Sequence, residues 1–160
     1  MNLPGKLLLL ILILFTPLTS YSQNQETLEK AKSGDAQAQF ELGIVYFEGN
    51  DVDKNYEKAM IWFEKSGSQG NANAQNKLGF MYLLGRGVEK DMKLAAFWYR
   101  KAAVQGNTTA QIKLGFMYIH GNGVNKDLYK ASHWIEKAYK SGDIQAENIW
   151  NQYELWNYKK

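Results

Sequence analysis

Residues that could take part in acid–base or metal chemistry are few in this sequence. The only histidines are His120 and His133, and there is no cysteine. The histidines form no HExxH or comparable ligand spacing, and without cysteine there are no disulfides and no thiolate nucleophile. Because catalysis needs converging groups, we predict a protein that is not an enzyme, with no catalytic residues, no cofactor and no metal site.

Glycine-rich loops are the second feature that could do chemistry. Residues Gly85–Asp91 read GRGVEKD and Gly121–Asp127 read GNGVNKD, each before a predicted helix. A phosphate-binding loop needs a longer cradle that ends in Lys and Ser or Thr, normally after a strand. Here the carboxylate of Asp91 or Asp127 would repel an anion at the helix start. We therefore interpret the loops as turns, in which glycines reverse the chain and the aspartate caps the next helix.

These loops recur because most of the chain repeats with one period. Trp62, Trp98 and Trp134 are spaced by 36 residues, and at least eight other positions share that spacing. In the middle copy the recurring residues are Ala74, Leu78, Gly79, Tyr82, Gly85, Val88, Ala95, Trp98 and Gly106. Such a period, with two apolar helical patterns in each unit, is typical of arrays whose neighbouring units bury each other's faces.

Each copy is predicted to contain two helices. Glycines such as Gly70 end one helix in the left-handed conformation, and the Asp or Asn that follows caps the next. The recurring glycine inside the first helix, such as Gly79, implies close approach of a neighbouring helix backbone. The tryptophans of the second helices are predicted to be inter-helix core and not a sugar-binding platform. The predicted organisation is a signal peptide at 1–22, a linker and half-repeat helix at 23–33, repeats at 34–69, 70–105 and 106–141, and a capping helix at 142–160.

The N-terminus has the pattern of a secretory signal peptide. Lys6 provides a positive charge, Leu7–Phe15 is an unbroken apolar run of nine, and Ser20 and Ser22 precede a predicted cleavage site before Gln23. A membrane anchor is the alternative, but nine residues are far fewer than the roughly 20 that span a bilayer. We expect export to a periplasm or beyond, with no transmembrane segment in the mature chain.

The repeated skeleton resembles the Sel1-like repeat family: A, LG, Y, GxGVxKD, A, W and a closing KAxxxG. Ala74–Gly106 and Ala110–Gly142 match it best, whereas the first copy has Ser66 for Ala102 and lacks the second loop glycine. The resemblance implies an all-α fold, a right-handed α/α solenoid of antiparallel helix pairs similar to tetratricopeptide arrays. It also implies a protein-interaction or adaptor module. Some secreted members are described as penicillin-binding or β-lactamase-like, but those are cysteine-rich, so that activity is not carried over.

Similarity to tetratricopeptide arrays places the first helix of each pair on a concave groove. Residues that flank its core stripe at i, i+4 and i+7 share one face and are mostly apolar. They are Phe40, Ile44, Phe47, Asn76, Phe80, Leu83, Ile112, Phe116 and Ile119. We predict that they bind a partner; the alternative is that they pack helix against helix between repeats, and the sequence leaves both open.

Charge and composition narrow the class of partner. Lys and Arg number 19 against 16 Asp and Glu, and the basic residues are spread along the repeats. Nucleic-acid binding normally shows a clustered basic stripe, so we expect none. Two functions remain: an exported scaffold that binds a protein or peptide on the concave face, or a cell-envelope factor that binds or modifies cell-wall glycan. Exposed Trp and Tyr aligned with carboxylates would favour the second.

Overall fold

The computed structural model describes residues 25–49 and 52–159, and over these ranges the chain is helical and has no strand. The predicted signal peptide and Asp51 of the first inner loop lie outside the described residues. The helices are α1 (25–32), α2 (Ala36–Glu48), α3 (Tyr56–Ser68), α4 (Ala72–Leu84), α5 (Met92–Val104), α6 (Thr108–His120), α7 (Leu128–Lys140), α8 (Ile144–Gln152) and a short 3₁₀ helix (Leu155–Tyr158).

The helices pack as three pairs in sequence. α2 packs on α3, α4 on α5 and α6 on α7, and the second helix of each pair also contacts the first helix of the next. This arrangement confirms the predicted right-handed solenoid of helix pairs with a 36-residue period. After the third pair, α8 and the 3₁₀ helix lie against α7.

The predicted caps and turns are confirmed at the helix ends. Asn71 Oδ1 accepts the amide of Ala74 at 3.0 Å, and Asp91 Oδ1 accepts the amides of Lys93 and Leu94. Gly106, just after α5, has φ +89°, a left-handed conformation that other residues adopt at a cost. These local interactions set the length of each helix, and every α-helix from α2 to α7 has 13 residues.

The glycine inside each first helix contacts a side chain, which corrects the expected backbone approach. A Cβ built on Gly79 would lie 2.7 Å from the ring of Tyr99, and one on Gly43 would lie 2.5 Å from the ring of Phe63. In the third pair the neighbour of Gly115 is the Ile135 side chain. The glycine therefore leaves room for a large side chain of the second helix.

The centre of the core is formed by Tyr99 and its equivalents Phe63 and Ile135, and not by the predicted tryptophans. Tyr99 is 1% exposed, whereas its neighbour Trp98 is only half-buried. The face of the Trp98 ring is covered by Lys101, whose Nζ lies 5.1 Å from the ring centroid, and the other two copies repeat this arrangement. Adjacent helix positions differ by about 100°, so the residue after each tryptophan faces the first helix and the tryptophan lies at the core's edge.

A ladder of buried glutamines links successive pairs, and the sequence analysis missed it. Gln75 Nε2 donates to the carbonyl of Gly67 at 2.9 Å, and Gln75 Oε1 accepts from Gln105 Nε2 at 2.8 Å. Gln39 and Gln69 repeat the pattern one copy earlier. One copy later the donor position is Ser141, and the buried Oε1 of Gln111 has no hydrogen-bond partner in the described part of the chain.

Candidate functional site

The nine predicted partner-binding residues all lie on α2, α4 and α6, but two of them are inaccessible. Ile112 is 2% exposed and Ile119 is 3% exposed, so both belong to the core of the third pair. For these two residues the packing alternative is correct. The other seven are partly buried: Phe40, Ile44, Phe47, Asn76, Phe80, Leu83 and Phe116.

An aromatic cluster joins the first two pairs. The rings of Phe47 on α2 and Phe80 on α4 meet edge to face, with centroids 6.1 Å apart. Tyr56, at the start of α3, lies 5.2 Å from Phe47. Ring pairs at such distances attract each other, and all three side chains remain partly accessible.

Two cations complete this cluster. The guanidinium carbon of Arg86 lies 5.2 Å from the ring centroid of Phe80 and 5.3 Å from that of Tyr56. Lys77 Nζ lies 5.0 Å from the centroid of Phe47. Cations over ring faces are held by the ring quadrupole and keep their charge at the surface. We call Phe47, Tyr56, Lys77, Phe80 and Arg86 the aromatic–cation cluster.

Sequence reasoning found the two phenylalanines of this cluster but missed its other members. Arg86 occupies a loop position that is Asn122 in the third copy, and this departure from the repeat was the available signal. Lys77 recurs as Lys113, but a pattern defined by apolar residues does not include a lysine. Tyr56 stands at the start of a second helix, so its closeness to α2 follows only from the packing of the pair.

A second aromatic group lies at the other end of the array. Phe116 on α6 stacks on His120, with centroids 5.6 Å apart, and contacts Tyr153 after α8 at 6.4 Å. Because Tyr153 follows the last α-helix, the partly buried phenylalanines of α2, α4 and α6 are continued by an aromatic residue from the C-terminal segment.

The charge of the first helices changes along the array. α2 contains Glu41 and Glu48, whereas α4 and α6 contain no acidic residue and carry Lys77 and Lys113. The first helices of the second and third copies therefore carry only basic charge, and Lys77 brings that charge next to Phe47 of the first copy.

Exposed Trp and Tyr aligned with carboxylates were predicted to favour a glycan site, and two adjoining clefts contain residues of these types. Tyr129 and Trp134 line a cleft, but the charged groups beside them are basic. Tyr129 also lines the adjoining cleft, which contains the carboxylate of Glu136, and hydrogen bonds from Lys140 and then Lys159 lower the pKa of Glu136. Over residues 25–49 and 52–159 no group of three or more His, Cys, Asp or Glu could hold a metal ion.

Comparison with known proteins gives the family. A model described as the Sel1 repeat matches residues 36–71, 72–107 and 108–143. The chain belongs to the Sel1 repeat family. Each matched unit starts two residues after the repeats predicted at 34–69, 70–105 and 106–141. Within the residues that the structure describes, no helix is long and apolar enough to span a bilayer.

Solved structures support the Sel1 assignment. A Sel1 repeat protein from Oxalobacter formigenes is 40% identical, with a TM-score of 0.75, over 80% of this chain and 96% of that one. The protein c5321 of uropathogenic Escherichia coli, described as a protective antigen with an SLR fold, is 41% identical with a TM-score of 0.75. The match covers 77% of this chain and 26% of that protein.

Among curated proteins the chain matches part of the secretory immunoglobulin A-binding protein EsiB of Escherichia coli O6:H1 (strain CFT073). The two are 45% identical over 42 residues, which are 26% of this chain and 9% of that protein. The chain thus spans less than a tenth of this relative. Sel1-repeat proteins are generally non-catalytic scaffolds for protein–protein interactions.

Proposed function

We propose that this Sel1-repeat protein is an exported scaffold that binds an extended segment of a partner protein along α2, α4 and α6. The observation that carries the proposal is the row of partly buried phenylalanines, Phe47, Phe80 and Phe116, one on each of these helices. Aromatic and arginine side chains dominate the binding energy of protein interfaces, and the aromatic–cation cluster contains both. The name of the related EsiB, an immunoglobulin-binding protein, agrees with a protein as partner.

The charges define the kind of segment that fits. Lys77, Arg86 and Lys113 lie on or next to α4 and α6, whose own sequences are free of Asp and Glu. A partner segment with apolar residues for the ring edges and carboxylates for these cations is therefore complementary to the second and third copies. Electrostatic complementarity of this kind speeds association and rejects like-charged partners.

The first test is to locate the binding face and then measure affinity. A photo-crosslinking residue placed at Phe80 or Phe116 should capture one partner that the same residue at Phe97, 47% exposed on α5, does not. With that partner purified, Phe80→Ala or Phe116→Ala should weaken binding by at least about 2 kcal/mol, about 30-fold, as expected of interface hot spots. Phe97→Ala is the matched control and should leave affinity unchanged.

Stability measurements separate a binding role from a packing role. If Phe80→Ala lowers the melting temperature as much as Tyr99→Ala, the phenylalanine is core and the proposed face loses its main residue. Equal crosslinking of the partner from positions 80 and 97 would also contradict the proposal, because the partner would then contact α4 and α5 alike.

Export is tested on the chain itself. The charged start, the apolar run Leu7–Phe15 and the small residues Ser20 and Ser22 support cleavage before Gln23. Intact-mass measurement of protein isolated from the cell envelope or medium should give a chain beginning at or near Gln23. Recovery of the full-length chain in the membrane fraction would instead favour an N-terminal anchor.

A further inference from the structure

A cleft of about 480 Å³ lies between the second helices of the last two pairs, α5 and α7, with one residue of α6 in its lining. Its lining consists of three basic side chains and three phenol or indole rings. These are Arg100, Lys130, His133, Tyr118, Tyr129 and Trp134. None of these residues belongs to the aromatic–cation cluster or to the face proposed for the protein partner.

Arg100 reverses the charge found at its position in the other copies. The equivalent residues 36 positions earlier and later are Glu64 and Glu136. Between the first and second pairs, Glu64 lies beside Tyr82. Burial raises the pKa of the Tyr82 phenol, and the negative charge of Glu64 raises it further. Between the second and third pairs, Arg100 Nη2 donates to Tyr118 Oη at 2.7 Å. Here a cation takes the place of the carboxylate.

The guanidinium of Arg100 is held by a buried group. Tyr118 is 5% exposed, so its hydroxyl is a fixed acceptor at the base of the cleft. A guanidinium has five N–H donors in a planar fork, and the bond to Tyr118 uses one of them. The remaining donors can bind an oxyanion, and the fork geometry matches phosphate and carboxylate.

Lys130 and His133 are the other polar side chains of the lining, and the carboxylate of Asp127, which would repel an anion, lies outside it. Lys130 Nζ lies 3.1 Å from Asp127 Oδ2, and hydrogen bonds from Lys130, its backbone amide first, lower the pKa of Asp127. An ammonium has three donors, so Lys130 can keep this pair and still donate to a ligand. The imidazole of His133 is exposed beside it and meets the Trp134 ring edge to face at 5.0 Å.

Aromatic walls give the cleft a second recognition element. Tyr129 is 45% exposed, and Trp134 is half-buried with Lys137 Nζ 4.9 Å from its ring centroid. Ligand sites in proteins commonly combine apolar or aromatic walls with a few polar groups that fix orientation. We infer that the cleft between α5 and α7 binds a small phosphate or carboxylate oxyanion attached to a flat ring.

The experiment titrates the protein with phenyl phosphate and follows the indole N–H resonance of Trp134 by NMR, assigned through Trp134→Phe. Phenyl phosphate should bind saturably at millimolar concentrations and more tightly than either inorganic phosphate or phenol, which each carry one half of the ligand. A second titration uses benzoate. Its affinity relative to that of phenyl phosphate shows whether the cleft prefers carboxylate or phosphate. Absence of saturable binding by both ring anions would overturn the inference.

Two variants with the same change in charge test the role of Arg100. Arg100→Glu installs the residue that the other copies have and should weaken binding of phenyl phosphate at least about tenfold. Lys101→Glu is the matched control, because Lys101 lies over the rings of Phe97 and Trp98 outside the lining, and should change affinity less than about twofold. Arg100→Gln removes the charge without reversing it and should also weaken binding. Equal losses in Arg100→Glu and Lys101→Glu would show a general effect of net charge and refute a specific site.

Discussion

Tyr99 is the residue at which the fold carries an uncompensated polar group. Its side chain is 1% exposed, and within the described residues its hydroxyl has no hydrogen-bond partner. Burial raises the pKa of the Tyr99 phenol well above its ordinary value of 10.0. The other copies have Phe63 and Ile135 at this position, so the space accepts an apolar side chain.

Tyr99→Phe should therefore leave stability unchanged or increase it by up to about 1 kcal/mol, because a desolvated hydroxyl is removed while the ring remains. The variant should also alter the pH dependence. Above pH 10 the unfolded phenol loses its proton and the folded one keeps it, so the wild-type free energy of unfolding falls as pH rises.

Urea unfolding at neutral and alkaline pH measures both effects. The alkaline decrease should be smaller in Tyr99→Phe than in the wild type. A loss of more than about 1 kcal/mol at neutral pH would mean that the hydroxyl has a partner, since breaking a buried hydrogen bond costs about that much.

Helices, caps and turns were predictable because their signals are local. A glycine followed by Asp or Asn identifies each junction between repeats, and a glycine-containing loop that ends in Asp or Asn identifies each junction within a repeat. Asn71 and Asp91 then accept hydrogen bonds from amides two or three residues further on. Which face of a helix enters the core is less local. Trp98 and Tyr99 are neighbours about 100° apart on the helix, so the pattern placed the core on the right side of α5 but on the wrong residue.

Ser141 marks the point at which the glutamine ladder ends. Ser141→Gln would place at the end of α7 the donor that Gln105 provides after α5, within reach of the unsatisfied Gln111 Oε1. We expect a gain of about 0.5–1.5 kcal/mol in the free energy of unfolding, the usual value of one net hydrogen bond. Chemical denaturation measures it.

A double-mutant cycle distinguishes this bond from a change in helix propensity. In a Gln111→Ala background the substitution at Ser141 should give no gain, because the acceptor is absent. The same gain in both backgrounds would show that the effect is local to the end of α7.

The candidate binding face was predictable in outline from the whole array. The repeat spacing placed Phe80 and Phe116 on equivalent helices, but it could not show that Ile112 and Ile119 are enclosed. Their burial follows from the packing of the third pair, which the spacing of residues along the chain does not reveal. The cleft around Arg100 was also missed, because it brings together residues from two second helices and its signal is a single reversed charge.

The C-terminal segment is expected to stabilise the array, because nearest-neighbour contacts are the main source of stability in repeat proteins. Trp150 is 6% exposed and Leu155 is fully buried against the third pair. Deleting Ile144–Lys160 should lower the melting temperature and cause association, since apolar residues of α6 and α7 lose their cover. Calorimetry and light scattering measure the two effects.

Removal of Lys159 and Lys160 alone is the control for this deletion. It breaks the ion pair between Lys159 and Glu136, 2.7 Å apart, and a partly exposed pair contributes less than about 1 kcal/mol. An unchanged melting temperature and a monomeric state after the longer deletion would show that the third pair needs no cover.

Two pairs of positions recur in the contacts between copies. Asn71 donates to Gln37 and Asn107 donates to Asn73, while Gln105 donates to Gln75. A tandem duplicate of the middle unit would therefore meet its own donors and acceptors on both sides. Unequal recombination within the gene could lengthen or shorten the array by whole units of 36 residues without requiring a new interface to evolve.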